Sequence, residues 1–333
     1  MVTDNKARER PPTGVVPILW PEDQHRRKTA VEWIIRDLLR KGAVGTVFGL
    51  PGSFKTWLVL DAALRIATGG EEFLGFPIEH HGPVILISAD DGADTTIDRL
   101  RMISRARTGS EEYENIVLVD RGHISLMSED AKHRLEQLVA DTTAKYRTAP
   151  ALIVIDTAAM AGAPTEDFGH RYPEQLGWLK EVAAEAGCAI VLVDHVAKPS
   201  PERGQVDVRS RGWGSVMKSG FFEFAWSLSG RHGADAIVDL EVSDKRSPRQ
   251  PKLTLTFTLT DDSYAVSWEP ARARVNVAER VVAAVIENGG PMTIDEMAEA
   301  TGLGRHLVSP AAKKALKVVK EGAGTRPAFY DVG

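Results

Sequence analysis

Short apolar runs alternate with amphipathic segments through the first two thirds of the chain. Each run is apolar nearly throughout and is bounded by Gly, Asp or Pro, which is typical of strands covered on both faces, as in parallel sheets. The segments between the runs carry apolar residues at helical spacing. The predicted strands are 43–50, 83–89, 115–119, 151–155 and 188–193, and the predicted helices are 31–39, 56–67, 95–107, 129–146 and 173–186. This alternation predicts an α/β domain with a mainly parallel sheet.

The pattern changes at residue 221, where short strands follow one another closely. They are predicted at 221–228, 237–242, 253–259 and 264–268, and apolar residues alternate with threonine in the third of them. Such strands are half exposed and joined by short turns. They predict that the sheet continues as an antiparallel extension.

Residues 270–274, of sequence PARAR, are interpreted as a linker to a small C-terminal unit. Helices are predicted at 277–287, at 294–299 and from Pro310 onward with Ser309 as the cap, followed by a short strand at 328–330. This arrangement resembles a winged helix. The predicted domains are a flexible arm at 1–28, the α/β domain at 29–270 and a winged-helix domain at 271–333.

Composition narrows the class of protein. At 333 residues the chain has room for about two domains. Its 43% hydrophobic and 26% charged residues exclude collagen-like and wholly disordered chains, and the single cysteine, Cys188, excludes a disulfide framework and a multi-thiolate metal site. The net charge of −5 means that binding to a polyanion requires a local basic patch. Because no signal peptide and no run of 18 apolar residues occurs, we expect a cytoplasmic protein without a membrane segment.

The strongest chemical signal is the segment GLPGSFKT at residues 49–56, between a predicted strand and a predicted helix. This is the context of a P-loop, in which backbone N–H groups and a helix N-terminus cradle phosphates. Lys55 would reach the β- and γ-phosphates and Thr56 would hold Mg²⁺. Phe54 departs from the usual pattern, which has glycine before the lysine. The residues predicted to bind ATP are Gly49, Pro51, Gly52, Ser53, Phe54, Lys55 and Thr56.

Acidic residues follow two of the predicted strands, at the sheet edge where ligands of open α/β sheets bind. Asp156 follows the fourth strand, as in a Walker B segment, and is predicted to bind Mg²⁺ with Thr56. Asp90 and Asp91 follow the second strand, where a carboxylate can orient and deprotonate an attacking water. The alternative for this pair is a turn or a cap ahead of the next helix. His195 ends the fifth strand and either senses the γ-phosphate or is an ordinary histidine at the sheet edge.

Together these segments resemble the RecA-like ATPases, and within them the branch of the plasmid replicative helicase RepA with its phage and prophage relatives. The resemblance covers about residues 30–260. It rests on EWI at 32–34, GSFKT at 52–56, SADD at 88–91, LIVIDT at 152–157, DHVAK at 194–198 and RG at 211–212.

This resemblance implies hydrolysis of ATP with Mg²⁺ in a ring whose neighbouring subunit supplies an arginine finger. Asp90 stands where the family has its catalytic glutamate, and His195 where it has a γ-phosphate sensor. The finger is Arg211, or else Lys245 or Arg246 contacts the nucleotide across the ring. The implied catalytic residues are Lys55, Asp90, Asp156, His195 and Arg211.

One basic segment has a composition suited to binding nucleic acid. Residues 196–219 hold Lys198, Arg203, Arg209 and Trp213 among Gly, Pro and Ser, which favours contact with a single-strand backbone and stacking on a base. The alternative is a solvated loop, since charge runs are usually solvated.

A second basic group lies in the C-terminal unit. Residues 271–333 carry nine basic and seven acidic residues, a net charge of +2 in a chain of −5. The predicted recognition helix carries Lys313, Lys314, Lys317 and Lys320, which suit phosphate contacts. The alternative is a protein–protein module, because the second helix is acidic.

The sequence therefore predicts an ATP-hydrolysing RecA-like motor that acts on single-stranded DNA, as a helicase or a replication or recombination ATPase of phage or plasmid type. The alternatives are a nucleotide-switched DNA-binding regulator and a helicase loader with weak ATPase activity, since all three need the same nucleotide site. The predicted partners are DNA and other copies of the chain in a hexameric ring.

Overall fold

The structure is a computed structural model. It describes residues 21, 30–121, 123–126, 128–162, 171–195, 222–230, 235–260, 262–271, 277–302, 304–320 and 329–332. Among the helices of these ranges, none is both long enough and apolar enough to cross a membrane.

Most strands before residue 271 join one large sheet. The strands are β1 (Trp33–Ile35), β2 (Leu39–Arg40), β3 (Val44–Gly49), β4 (Glu72–Phe73), β5 (Phe76–Pro77), β6 (Val84–Ser88), β7 (Ile116–Val119), β8 (Leu152–Asp156), β9 (Ala189–His195), β10 (Phe224–Gly230), β11 (Asp235–Asp244), β12 (Lys252–Leu259) and β13 (Tyr264–Pro270). Nine of them form the sheet in the order β13-β12-β11-β10-β3-β9-β8-β6-β7. The six strands from β10 to β7 run parallel, so the parallel α/β domain predicted from the sequence is confirmed.

Helices cover both faces of the parallel part. They are α1 (Lys55–Ala67), α2 (Ala93–Thr108), α3 (Ala131–Tyr146) and α4 (Arg171–Ala186). Successive side chains of β6 enter opposite layers, because Val84 and Leu86 pack in the cluster that contains α1 and α2, whereas Ile85 and Ile87 pack in the cluster of α3 and α4. Burial on both faces explains why these strands are apolar nearly throughout.

The antiparallel extension begins one strand later than predicted. β10 pairs with β3 in parallel, and only β11, β12 and β13 run antiparallel to their neighbours. Along β12 the side chains of Leu253, Leu255 and Phe257 are buried, while the threonines between them are partly exposed. This alternation, visible in the sequence, places one face of the extension on the core.

The segment 33–40 is a hairpin, so the helix predicted at 31–39 is wrong. β1 and β2 pair around a turn in which Asp37 has a φ of 60°. The turn is fixed from outside, since the N–H of Arg36 donates to the carbonyl of Pro77 at 2.9 Å. The apolar pairs at 34–35 and 38–39 are separated by two residues, and this spacing fits one face of a helix and the inside of a tight hairpin equally well. Hydrogen bonds to a distant strand decide between them.

Residues 277–332 contain a smaller unit with its own sheet. Its elements are α5 (Val277–Asn288), β14 (Met292–Thr293), α6 (Ile294–Thr301), α7 (Arg305–Ala315), β15 (Lys317–Lys320) and β16 (Phe329–Asp331). The strands are antiparallel in the order β14-β16-β15. Val281, Val285, Met297, Val308 and Tyr330 form an apolar core separate from that of the large sheet.

Two details of this unit differ from the prediction. Helix α7 begins at Arg305, and Pro310 lies inside it, so the start at Pro310 with a Ser309 cap is wrong. Proline removes one backbone hydrogen bond, and burial of Val308 on the preceding turn stabilises the helix across that position. Lys317 belongs to β15 and not to α7, so the predicted lysine row is divided between a helix end and a strand.

Candidate functional site

The loop between β3 and α1 has the backbone that a P-loop needs. Gly52 has a φ of 75°, in the left-handed region that favours glycine. A Cβ on Gly49 would lie 2.5 Å from both the carbonyl oxygen of Leu228 and the Oγ of Ser53, so only glycine fits there. Helix α1 begins at Lys55, which directs its first N–H groups into the loop.

Phe54 keeps the left-handed conformation although it is not glycine. Its φ and ψ are 62° and 20°, and this costs a non-glycine residue about 1–2 kcal/mol. Its ring stacks on that of Phe257 in β12, with centroids 4.7 Å apart and an interplanar angle of 11°. Such a pair contributes about 0.5–1.5 kcal/mol beyond area burial. The departure from the usual P-loop pattern therefore preserves the loop and attaches it to the antiparallel extension.

Lys55 is drawn into the loop. Its Nζ donates to the carbonyls of Gly49 and Leu50, each at 3.0 Å, and lies 3.3 Å from the Nδ1 of His195. Burial lowers the pKa of Lys55 to about 8, and the carboxylate of Asp156 is the largest influence in the opposite direction. The lysine thus lies where phosphate oxygens could replace these carbonyls as acceptors.

Thr56 and Asp156 meet at the carboxyl end of β8. The hydroxyl of Thr56 donates to the Oδ2 of Asp156 at 2.6 Å. Burial raises the pKa of Asp156 to about 6, while this hydrogen bond acts in the opposite direction. A hydroxyl and a carboxylate are hard oxygen ligands of the kind that Mg²⁺ takes, so the pair fits that ion. Mg²⁺ would neutralise charge between the β- and γ-phosphates when bound there.

The turn after β6 lies beside Asp156. The N–H groups of Ala89 and Asp90 donate to the carbonyl of Asp156, at 2.6 and 3.2 Å. The charge of Asp90 raises the pKa of Lys55 and of His195, so this carboxylate is close enough to influence both groups. Neither Asp90 nor Asp91 caps α2, because Gly92 holds the cap position and Asp120 accepts from the N–H of Ala93. The capping interpretation of these two residues is therefore wrong.

His195 ends β9 next to the phosphate loop. Burial lowers its pKa, and the positive charge of Lys55 lowers it further, so the ring is neutral near pH 7. The backbone N–H of His195 donates to the carboxylate of Asp194 at 2.6 Å. A neutral imidazole within 3.3 Å of Lys55 can respond when that lysine changes partners.

Lys198, Arg203, Arg209, Arg211 and Trp213 fall outside the described residues.

Lys245 and Arg246 are exposed directly after β11. The register pairs Asp244 with Phe224, and Phe224 with Gly45 at the amino end of β3. The two basic residues therefore lie at the sheet edge opposite this chain's own P-loop, and the structure does not bring them to that site.

Two neighbours of the site have no local sequence signal. Phe257 reaches Phe54 across about two hundred residues of chain. Arg99, on α2, pairs with Asp91 and lies over the ring of Trp57, 5.6 Å from its centroid. The Oγ of Ser53 is buried without a hydrogen-bond partner in the described part of the chain, which is consistent with a polar ligand for this loop.

Comparison with known families agrees with this geometry. The chain matches the AAA domain family over residues 8–201, which is more than half of its length and includes the P-loop, the turn after β6, β8 and β9. A strand–loop–helix phosphate cradle, a hydroxyl–carboxylate pair and a neighbouring acidic turn are what a nucleotide-hydrolysing member requires. The chain therefore belongs to the AAA domain family of P-loop ATPases.

Proposed function

We propose that the protein is an ATP-driven motor of the RecA-like, RepA type that acts on single-stranded DNA as a hexameric ring. The observation that carries this proposal is the presence, in one chain, of a P-loop site and a C-terminal unit with an exposed lysine group. Lys313 and Lys314 in the last turn of α7 and Lys317 on β15 are all exposed. No acidic residue occurs between 305 and 320.

The C-terminal unit supports DNA contact through its topology. The elements follow the order helix, strand, helix, helix, strand, strand, with β16 between β14 and β15, and this order supports our interpretation of the unit as a winged helix. In this interpretation α7 is the recognition helix. Lysines at the end of α7 and at the start of β15 suit the phosphate backbone, which needs no base-specific geometry.

Hydrolysis in this proposal uses the chain's own groups at one sheet edge. The loop amides and Lys55 would hold the phosphates, and Thr56 with Asp156 would hold the metal ion. Asp90 orients a water and accepts its proton, and His195 responds to the γ-phosphate through Lys55. Aspartate is one methylene shorter than the glutamate that the resembled family uses, so we expect slower turnover than with glutamate at this position.

ATP hydrolysis measured with and without single-stranded DNA tests the proposal. We expect DNA to stimulate hydrolysis by the wild type, and we expect Lys55→Ala and Asp90→Asn to lose this stimulation. Asp98→Asn is the control, because Asp98 is an exposed carboxylate on α2. Replacing Lys313, Lys314 and Lys317 with alanine should abolish the stimulation and leave the basal rate unchanged. Light scattering with bound nucleotide tests the hexamer.

The same assay distinguishes the alternatives. Tight ATP binding with negligible turnover that DNA does not change would contradict a motor and favour a nucleotide-switched regulator or a helicase loader. Asp90 in place of glutamate is the observation that favours this second candidate. A salt titration of binding to single and double strands separates them further, since a regulator should prefer a defined duplex.

A further inference from the structure

Arg99 lies beside the Thr56–Asp156 pair in a position that the proposed mechanism does not use. Its guanidinium donates to the carboxylate of Asp91 and lies over the indole ring of Trp57. Trp57 follows Thr56 in the first turn of α1, and its ring also stacks on that of Tyr264 with centroids 5.5 Å apart. Arg99 therefore joins the acidic turn after β6 to the helix that carries Thr56.

Asp91 faces the same small cavity as Thr56 and Asp156. This cavity lies between α1 and the carboxyl ends of β6 and β8, and its volume is about 10 Å³, room for about one water molecule. The backbone on both sides of Asp91 is fixed, since the N–H of Asp90 donates to the carbonyl of Asp156 and the hydroxyl of Ser88 donates to the carbonyl of Gly92. These two bonds fix the backbone of the turn, and the carboxylate of Asp91 is itself paired with Arg99.

The two neighbouring aspartates have separate surroundings. Asp90 acts through its charge on Lys55 and His195. Asp91 faces Thr56, Asp156 and Arg99. The charges of Asp91 and Asp156 repel each other, and the cationic Arg99 offsets this repulsion, because it pairs with Asp91 and its charge also acts on Asp156.

We propose that Asp91 is the second carboxylate of the magnesium site, acting through a water, and that Arg99 is the positioning residue that holds it there. This inference rests on the proposed ATPase function. Mg²⁺ keeps several of its waters and is bound by one or two carboxylates, so a second carboxylate reached through a water fits its chemistry. Groups that orient a metal site from outside its direct ligands change metal affinity by about 10–100-fold.

The test measures metal affinity separately from turnover. A fluorescent ATP analogue is held at constant concentration with the full-length protein, and Mg²⁺ is titrated from an EDTA-chelated start. We expect Asp91→Asn to raise about tenfold the Mg²⁺ concentration at which the Mg²⁺-dependent change in the fluorescence of the analogue is half complete. Binding of the analogue in EDTA should stay unchanged. Arg99→Gln should raise it in the same direction, and Arg99→Lys by less, because lysine retains the charge without the planar fork.

Controls and outcomes decide between this role and a structural one. Asp98→Asn removes an exposed carboxylate from α2, the helix that carries Arg99, and should leave the midpoint of the Mg²⁺ titration unchanged. The double variant Asp91→Asn/Arg99→Gln should be no worse than Asp91→Asn alone, since both act through one carboxylate. A midpoint for Asp91→Asn equal to that of the wild type overturns the inference and leaves the ATPase proposal standing. Failure of the wild type to bind the analogue at any Mg²⁺ concentration contradicts both.

Discussion

At residue 54, glycine should give a more stable protein than alanine, which is the reverse of their usual order. In most helices and strands glycine is less stable than alanine by about 0.5–1 kcal/mol. Phe54, however, has a φ of 62° and a ψ of 20°, which costs alanine about 1–2 kcal/mol and glycine nothing. Both substitutions lose the stack on Phe257 equally. We therefore expect Phe54→Gly to exceed Phe54→Ala in stability by about 1 kcal/mol.

The size of the effect relative to the wild type follows from burial. Phe54 is half-buried, and replacement of a fully buried phenylalanine by alanine costs about 3–5 kcal/mol, so Phe54→Ala should cost about 2 kcal/mol. Thermal unfolding of the full chain, followed by circular dichroism, measures this. A difference of 1 kcal/mol corresponds to about 2–4 °C for a domain of roughly 150–250 residues. Gly69→Ala is the matched control for the backbone term, because Gly69 has a φ of 75° and no atom lies within 4 Å of the added Cβ.

Two results would refute this reasoning. Equal or greater stability of Phe54→Ala compared with Phe54→Gly would mean that residue 54 is not left-handed in solution. In addition, the stack predicts a coupling of about 0.5–1.5 kcal/mol between Phe54→Ala and Phe257→Leu in a double-mutant cycle. Strict additivity of these two substitutions would contradict a contact between the rings.

Three further predictions concern buried charge and close backbone approach. Burial raises the pKa of Asp156 from 3.8 to about 6, so the contribution of this group to stability is present below pH 3.8 and is lost as the pH rises to about 6. Asp156→Asn should remove this pH dependence from unfolding midpoints measured between pH 3.5 and 7. Arg40→Leu should lower the free energy of unfolding by about 3–5 kcal/mol, because it leaves the buried carboxylate of Asp244 without its guanidinium partner at 3.3 Å. Urea titration measures this loss. Arg36→Leu, which breaks the exposed pair with Glu79, should cost about 0–1 kcal/mol in the same titration, and equal losses for the Arg40 and Arg36 variants would contradict the role of burial. Gly49→Ala should impair both folding and binding of an ATP analogue, since its Cβ would meet backbone at 2.5 Å, and unchanged binding would show that the loop can move aside.

Sequence periodicity was sufficient for the α/β core and for the location of its phosphate loop. Strands buried on both faces must be apolar nearly throughout, so β3, β6, β8 and β9 are visible as runs, and a helix after GLPGSFKT follows from local spacing. Asp156 and the turn at Asp90 could be assigned to one edge because the carboxyl ends of parallel strands meet there. These are local or nearest-neighbour properties of the chain.

The same patterns were insufficient where two structures satisfy them equally. The apolar pairs of 33–40 fit a helix and a hairpin, and the lysines near 313–320 fit one helix as well as a helix followed by a strand. A hydrogen bond to Pro77 decides the first case and pairing of β15 with β16 decides the second, and no local count of apolar positions contains either. The direction of β10 is a similar case, since its partners are β3 on one side and β11 on the other.

What the sequence by itself determined is therefore the α/β core, the phosphate loop and the acidic edge, because each depends on short-range spacing and on burial. Only the tertiary structure decided why Phe54 is accepted in the loop, where a ring on β12 packs on it. It also decided that Arg99 ties Asp91 to the first turn of α1. Both are contacts between elements far apart in the chain, and their geometry exists only once the sheet and its helices have packed together.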